Sequence, residues 1–227
     1  MYDVCMTRAR RKKGVAIWQP NRFAHKTTGY NNATIAVETG PLDVLRGKRV
    51  VVIADIENLS YSAKRLNSGY QISYKMLATL LKVTARSCML HAFFSAFPGD
   101  RRREYFQARG WTSHVRPIEC VADGRGGVKK FANADIAFAV GVGLLARNGF
   151  DAVVLATGDG ELAHDTACAI NALPKRREIF TLSLAGSTSR RLDARRNPYI
   201  TGNIEVGLDV LKPINRNQYE GGGKWRC

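Results

Sequence analysis

The sequence predicts an α/β fold, with a mainly parallel central sheet covered by helices on both faces. Three observations carry that expectation. Apolar, β-branched runs recur at 49–55 (RVVVIAD), 88–96 (CMLHAFFSA), 151–156 (DAVVLA) and 178–184 (EIFTLSL). These runs are apolar on successive residues, as strands buried on both faces require, instead of alternating with polar ones. Helical stretches separate them, and a parallel sheet needs such crossovers to bring the chain back to its starting edge.

The elements follow in order. After the strand at 49–55, a helix is expected at 73–86, where Met76, Leu77, Leu80, Leu81 and Thr84 fall at spacings of one, three and four. The strand at 88–96 comes next, and Pro98 stops it. A short, very basic helix at 101–109 leads to a third strand at 112–118, introduced by Trp111. Pro117 near its end places that strand at a sheet edge or terminus, because proline cannot donate to a ladder. A glycine-rich loop at 123–128 (DGRGGV) precedes a helix at 131–147; then come the strand at 151–156, a helix at 161–172 and the strand at 178–184. Sheets of this kind bind ligands at the carboxyl ends of their strands, where strand order reverses.

A length of 227 residues suits one domain with attached arms, and 45% hydrophobic residues suffice for a real core. Residues 1–47 read as a basic arm, since residues 1–48 hold nine basic residues against three acidic ones without a helical or strand period. Trp18, Phe23 and Tyr30 are its candidate docking points, for RNA, a second copy or a protein partner. The domain is expected over 48–211, and 212–227, ending EGGGKWRC, reads as a flexible tail. Thirty-five Lys and Arg against nineteen Asp and Glu leave a net charge of +16, which points to a polyanionic partner such as nucleic acid. The longest nearly unbroken apolar run, residues 136–146, has eleven residues against the roughly 20 needed to span a bilayer. Five scattered cysteines with no CxxC pair exclude a zinc framework and read as free thiols, with Cys88 and Cys168 buried. A cytoplasmic location is therefore expected.

Acidic residues stand where the fold would place a ligand. Asp55 ends the first strand, and Asn58 is placed to cap the next segment or hold Asp55 in register. Glu57 is expected to point away from the crevice. Asp159 and Glu161 follow the strand at 151–156, with Gly158 and Gly160 allowing a tight turn so that both acids face one crevice. Asp135 opens a helix whose next eleven positions carry no charge, and a lone carboxylate on a buried helix is costly unless it is paired or binds a cation. An all-oxygen set of Asp55, Asp135 and Asp159 suits Mg²⁺ or Mn²⁺ and not zinc. Such an ion would activate water and neutralise a phosphate under attack, which is nuclease chemistry.

The order of these motifs, Asp55-x-x-Asn58 after an apolar strand, a lysine-led helix with Asp135, then Leu-x-Thr-Gly-Asp-Gly-Glu-Leu at 155–162, resembles the NYN domain, the PIN-like nuclease fold of LabA-type proteins. The similarity spans about 48–211 and includes the serine-rich stretch at 187–192. The resemblance implies a three-layer α/β/α PIN-like, Rossmann-like sandwich and metal-dependent cleavage of RNA. Asp55, Asn58, Asp135 and Asp159 occupy the matched catalytic positions. Glu161 stands where the family usually has a second Asp, a change that moves the carboxylate by about 1 Å or more.

The basic residues expected to hold RNA are Lys129 and Lys130 before Asp135, the cluster Arg101, Arg102, Arg103 with Arg109, and the cluster Arg190, Arg191 with Arg195 and Arg196. His164 reads as structural, Asp165 as a solvated helix position, and Tyr61, Tyr70 and Trp111 as core residues before stacking platforms. A catalytically silent RNA-binding scaffold is the alternative function. A small phosphatase is weakened because Asp55-Ile56-Glu57 lacks an Asp-x-Asp pair, and neither a Walker loop nor GxGxxG occurs.

Overall fold

In the computed structural model, which describes residues 40–122, 128–132 and 134–214 (128–131 by their backbone), the apolar runs lie side by side in one sheet. In chain order the elements are β1 (Arg49–Asp55), α1 (Ile56–Leu66), β2 (Tyr70–Ile72), α2 (Tyr74–Thr84), β3 (Ser87–Ala96), α3 (Arg102–Gln107), β4 (Thr112–Pro117), β5 (Glu119–Ala122), β6 (Val128–Phe131), α4 (Ala134–Leu145), β7 (Ala152–Ala156), α5 (Gly160–Asn171), β8 (Glu178–Leu184), β9 (Gly202–Val206) and β10 (Leu211–Pro213). The central sheet runs β4-β3-β1-β7-β8-β9, and every neighbouring pair is parallel. The chain builds outward from β1 through β3 to β4, then returns to start again beside β1 with β7. Strand order therefore reverses between β1 and β7, and the crevice a doubly wound sheet offers a ligand lies beyond their carboxyl ends.

Alternation along the strands makes two cores. Val50, Val52 and Ala54 of β1 and Val154 of β7 pack with Leu59 of α1, Leu77 and Leu81 of α2, and Phe106 and Trp111. Val51, Ile53, Val153 and Leu155 face Phe138 and Val142 of α4 and Ala163, Ala167 and Ile170 of α5. A strand whose odd and even residues are both buried must have a layer on each side, so the domain is a three-layer α/β/α sandwich.

Several elements depart from the sequence reading. The helix α1 follows β1 at once, although its apolar residues Ile56, Leu59 and Ala63 are sparse among polar ones. The short strand β9, GNIEV, buries only Ile204 and Val206, a half-covered edge pattern with no continuous apolar run to mark it. Two antiparallel pairs, β10 with β2 and β5 with β6, lie outside the main sheet. The expected helix at 131–147 begins only at Ala134, because Val128–Phe131 is β6. Its outer face is exposed at Ile136, Val140 and Leu144, so this helix is covered on one side only. The expected edge position of the strand with Pro117 matches β4, which ends the sheet.

The domain also begins before Lys48 and continues past 211. Gly40–Leu45 forms a 3-10 turn with Leu42 and Leu45 buried, and β10 reaches Pro213. Trp18, Phe23, Tyr30, most of the glycine-rich loop, residues 1–39 and residues 215–227 lie outside the described residues. Cys88 and Cys168 are free thiols, but Cys168 is exposed because α5 buries Ala163, Ala167 and Ile170 instead, and Cys88 is half-buried. Cys120 is disulfide-bonded, against the expectation of free thiols; spacing along a chain does not report pairing in space. Among the described residues no helix is long and apolar enough to cross a membrane.

A histidine pair marks the β3–β4 edge. His91 Nδ1 lies 3.0 Å from His114 Nε2, and the Phe93 ring stacks on His114 at 4.2 Å between centroids. His91 is 4% exposed, and its Nε2 has no hydrogen-bond partner among the described residues. Burial, reinforced by His114, pushes the His91 imidazole down to about 4, so the native pair is neutral at pH 7. The unfolded chain takes up protons below about 6.5 that the folded one refuses, so stability falls with pH from there towards 4. We expect the wild type to lose about 2 kcal/mol more than His91→Leu between pH 7 and pH 5 in denaturant melts; equal losses would show that the pair does not set the acid sensitivity.

Candidate functional site

Asp55 closes β1 and opens α1. Its backbone is extended (φ −82°, ψ 100°), and its Oδ1 accepts the Asn58 N–H at 3.0 Å, which caps the helix. Its Oδ2 accepts the Thr157 hydroxyl at 3.3 Å, and Thr157 Oγ1 in turn accepts the Asp159 N–H at 3.1 Å. Thr157 is fully buried just past β7. Asn58 Oδ1 accepts the Gly158 N–H at 2.7 Å. Side chains from β1 and α1 thus hold the turn after β7 across the reversal point. Thr157 had no role in the sequence reading, although it sits inside the Leu-x-Thr-Gly-Asp motif.

The two glycines of that turn are needed for space and not for unusual dihedrals. Neither has a positive φ. A Cβ at Gly158 would come within 3.1 Å of Asn58 Oδ1 and 3.2 Å of the Ser187 carbonyl oxygen, and one at Gly160 within 2.9 Å of Ser189 Cβ. Close approach of the segment after β8 therefore replaces the tight-turn explanation.

The acids divide into two groups. Burial pushes the Asp55 carboxyl up to about 6; the Asn58 N–H opposes this, and the negative charges of Asp135 and Glu57 add to it. Both acids therefore lie close enough to repel Asp55. Glu57 reaches towards β3 and not across to β7: its Oε1 accepts the Ser95 N–H at 3.2 Å at the end of β3. Ser95, which sequence reasoning passed over, keeps its Oγ buried with no hydrogen-bond partner among the described residues. Asp135 sits in the first turn of α4 and is exposed, so it carries none of the burial cost expected for it.

Asp159 and Glu161 are turned to other partners. Asp159 Oδ1 accepts the N–H groups of Glu161 (2.9 Å) and Leu162 (3.2 Å), capping α5. Glu161 pairs with Arg191 at 2.9 Å, both side chains largely exposed, and such a pair is worth about 0–1 kcal/mol. Asp165 is exposed and His164 bonds Asn197, as expected of solvated and structural residues. Among the described residues no three His, Cys, Asp or Glu side chains converge as a metal cluster. The donors that fit a cation are the repelling pair Asp55 and Asp135. They are all oxygen, and Mg²⁺ commonly uses one or two carboxylates and keeps its waters.

The arginines separate by what they touch. Arg101 and Arg103 are exposed beside the ends of β3 and β4. Arg102 bonds Asp100 and the Ser95 carbonyl and lies over the Phe94 ring, so it braces the fold. Arg109 stacks on Tyr105. Arg190 and Arg191 follow β8 in a 3-10 turn, on the other flank of the crevice. Lys129 and Lys130 pair through their backbones with Val121 and Cys120 in β5–β6. Trp111 is core, its indole N–H donating to the Tyr74 carbonyl, whereas Tyr61 is exposed.

No family model matches the chain, and no curated protein matches it in sequence. In structure it is similar to a protein of unknown function from Vibrio parahaemolyticus, with a TM-score of 0.58 over 74% of this chain and 98% of that one, at 15% identity. That likeness shows a shared fold.

A carboxyl whose pKa rises on folding costs stability once it ionises, so the native state weakens as pH climbs from about 4 through about 6. Asp55→Asn removes the charge and keeps an acceptor for the Asn58 N–H. We expect it to stabilise the fold by about 2 kcal/mol at pH 8 and to change nothing at pH 4; a destabilised variant at pH 8 would show that Asp55 holds the turn through its charge.

Proposed function

We propose that the chain is a ribonuclease that depends on Mg²⁺ or Mn²⁺ and cleaves RNA phosphodiester bonds at the crevice between β1 and β7. The carrying observation is Asp55, partly buried at the reversal point of a parallel sheet and repelled by Asp135 and Glu57, in a chain of charge +16. A carboxylate group that strains the fold where a ligand site belongs is expected of function and not of packing. The motif resemblance to the NYN domain supplies RNA as the substrate.

Asp55 and Asp135 would hold the ion, with Asp159 close by in the turn that Thr157 and Asn58 position. Such an ion supplies a hydroxide from bound water and neutralises charge on the phosphate. The remaining work belongs to the chain. The Asn58 N–H and the Thr157 hydroxyl aim the two oxygens of Asp55, and Asn58 Oδ1 holds the opposite wall through Gly158. Arg101 and Arg103 on one flank and Arg190 on the other would take the phosphates on either side of the cleaved bond.

A second reading, an RNA-binding scaffold without catalysis, is favoured by Glu161 being paired with Arg191 and by Asp159 being engaged as a helix cap. One experiment separates them. Labelled single-stranded RNA is incubated with the full chain and Mn²⁺, with and without chelator. We expect products only with metal, a loss of at least about 100-fold in Asp55→Asn and Asp135→Asn, and RNA binding retained in both. Binding without metal-dependent products establishes the scaffold.

A further inference from the structure

We propose that the cleft between the ends of β3 and β4 is a base-binding subsite that holds one unstacked nucleobase of a single-stranded RNA. Its place on the substrate rests on the ribonuclease reading, and its existence does not. The cleft has a volume of about 340 Å³, within the range of small-ligand pockets. Its walls are Ala96, Pro98, Val115 and Pro117, and Arg101, Arg103 and Glu104 stand at its mouth.

Topology keeps this cleft open. Among the described residues the edge strand β4 has no further strand beside it, and Pro117 ends it without a donor. The loop that forms one wall is braced from behind by Arg102, through Asp100, the Ser95 carbonyl and the Phe94 ring. That leaves an apolar lining in a braced frame, with two exposed cationic donors and the Glu104 carboxylate as acceptor, while Asp100, also in the lining, is engaged by Arg102. A nucleobase has the matching character: two apolar faces, and an edge bearing both donors and acceptors. Guanidinium groups add attraction to its π-face and to the phosphate beside it. A paired base in a duplex cannot present its faces, which restricts the ligand to single strands.

The cleft and the crevice adjoin through β3. Ser95, whose N–H is held by Glu57, immediately precedes Ala96 of the cleft wall. In the β1–β3 register Asp55 is level with Phe93, three residues before Ala96 and one strand away. At about 3.3 Å per residue and 4.8 Å per strand, the two lie roughly 10–15 Å apart. Asp55 alternates onto the α4 side of the sheet and Val115 packs on the α3 side, so a bound strand crosses the sheet edge at Glu57 and Ser95.

The test measures binding, so cleavage does not enter it. The full chain carrying Asp55→Asn is titrated with an eight-nucleotide oligoadenylate RNA, with the same oligomer abasic at one position, with the corresponding DNA, and with a duplex. Base stacking is worth about 1–3 kcal/mol, so the best-placed abasic site should weaken binding by about 5- to 160-fold. Val115→Met, which narrows the cleft, should bring the intact oligomer down to the abasic level. Arg190→Ala, on the other flank, should weaken both equally and preserve their ratio. Independently of any cleft variant, an oligomer with one 4-thiouridine should photocross-link to residues 96–104 or 112–117. DNA bound as tightly as RNA would overturn the assignment to RNA. A base-to-abasic ratio near one, a ratio untouched in folded Val115→Met, equal affinity for duplex, or cross-links confined elsewhere would overturn the subsite. If wild type fails to cleave RNA while the ratio holds, the catalytic reading falls and the subsite stands; cleavage with a ratio of one rejects the subsite alone.

Discussion

Two side chains that reach across the reversal of strand order hold the site together. Asn58 takes the Gly158 N–H, and the Thr157 hydroxyl stands between the Asp159 N–H and the Asp55 carboxylate. A parallel sheet whose chain returns to start again beside its first strand leaves two loops facing each other with no ladder between them. Unless something replaces the ladder beyond Ala54 and Ala156, the two loops part freely. Here the replacement is a pair of hydrogen bonds between groups that are half-buried or fully buried, and an unpaired partner in such a place costs about 1–3 kcal/mol. The glycine at 158 fits this lacing, because a Cβ would crowd, at 3.1 Å, the oxygen that makes the bond.

Asp55 has two tasks that conflict. As a helix cap it is favourable, since it satisfies a backbone N–H that α1 would otherwise leave open. As a charge it is unfavourable, being partly buried and facing Asp135 and Glu57. Serine or asparagine would cap as well without the charge. The presence of Asp in a chain with thirty-five basic side chains, among the described residues paired with none of them, is the feature that packing does not explain.

Basic residues surround this acidic point unequally. Of the arginines near β3 and β4, Arg102 and Arg109 are engaged with the fold while Arg101 and Arg103 face solvent. On the other flank Arg191 and Arg195 are held by Glu161 and Asp193. A run of like charges in a sequence therefore contains both structural and available members, and the difference lies in which carboxylates and aromatic rings come near.

The strands at 49–55 and 178–184 were legible to the residue, because their apolar, β-branched cores are short and each opens on a charged residue, a pattern that fits strands buried on both faces. The edge position of β4 was legible from Pro117 for an equally local reason. The sixth strand was not, since a short, half-covered edge strand looks like a loop with two apolar residues. By itself, then, the sequence determined the layers, the basic charge and the acids at strand ends, all of which depend on residues near one another in the chain. The folded molecule alone decided that Glu57 reaches the end of β3, that Glu161 pairs with Arg191, and that Thr157 joins Asp159 to Asp55. Partners thirty to a hundred residues apart meet through the order of the strands, and local periodicity carries no record of that order.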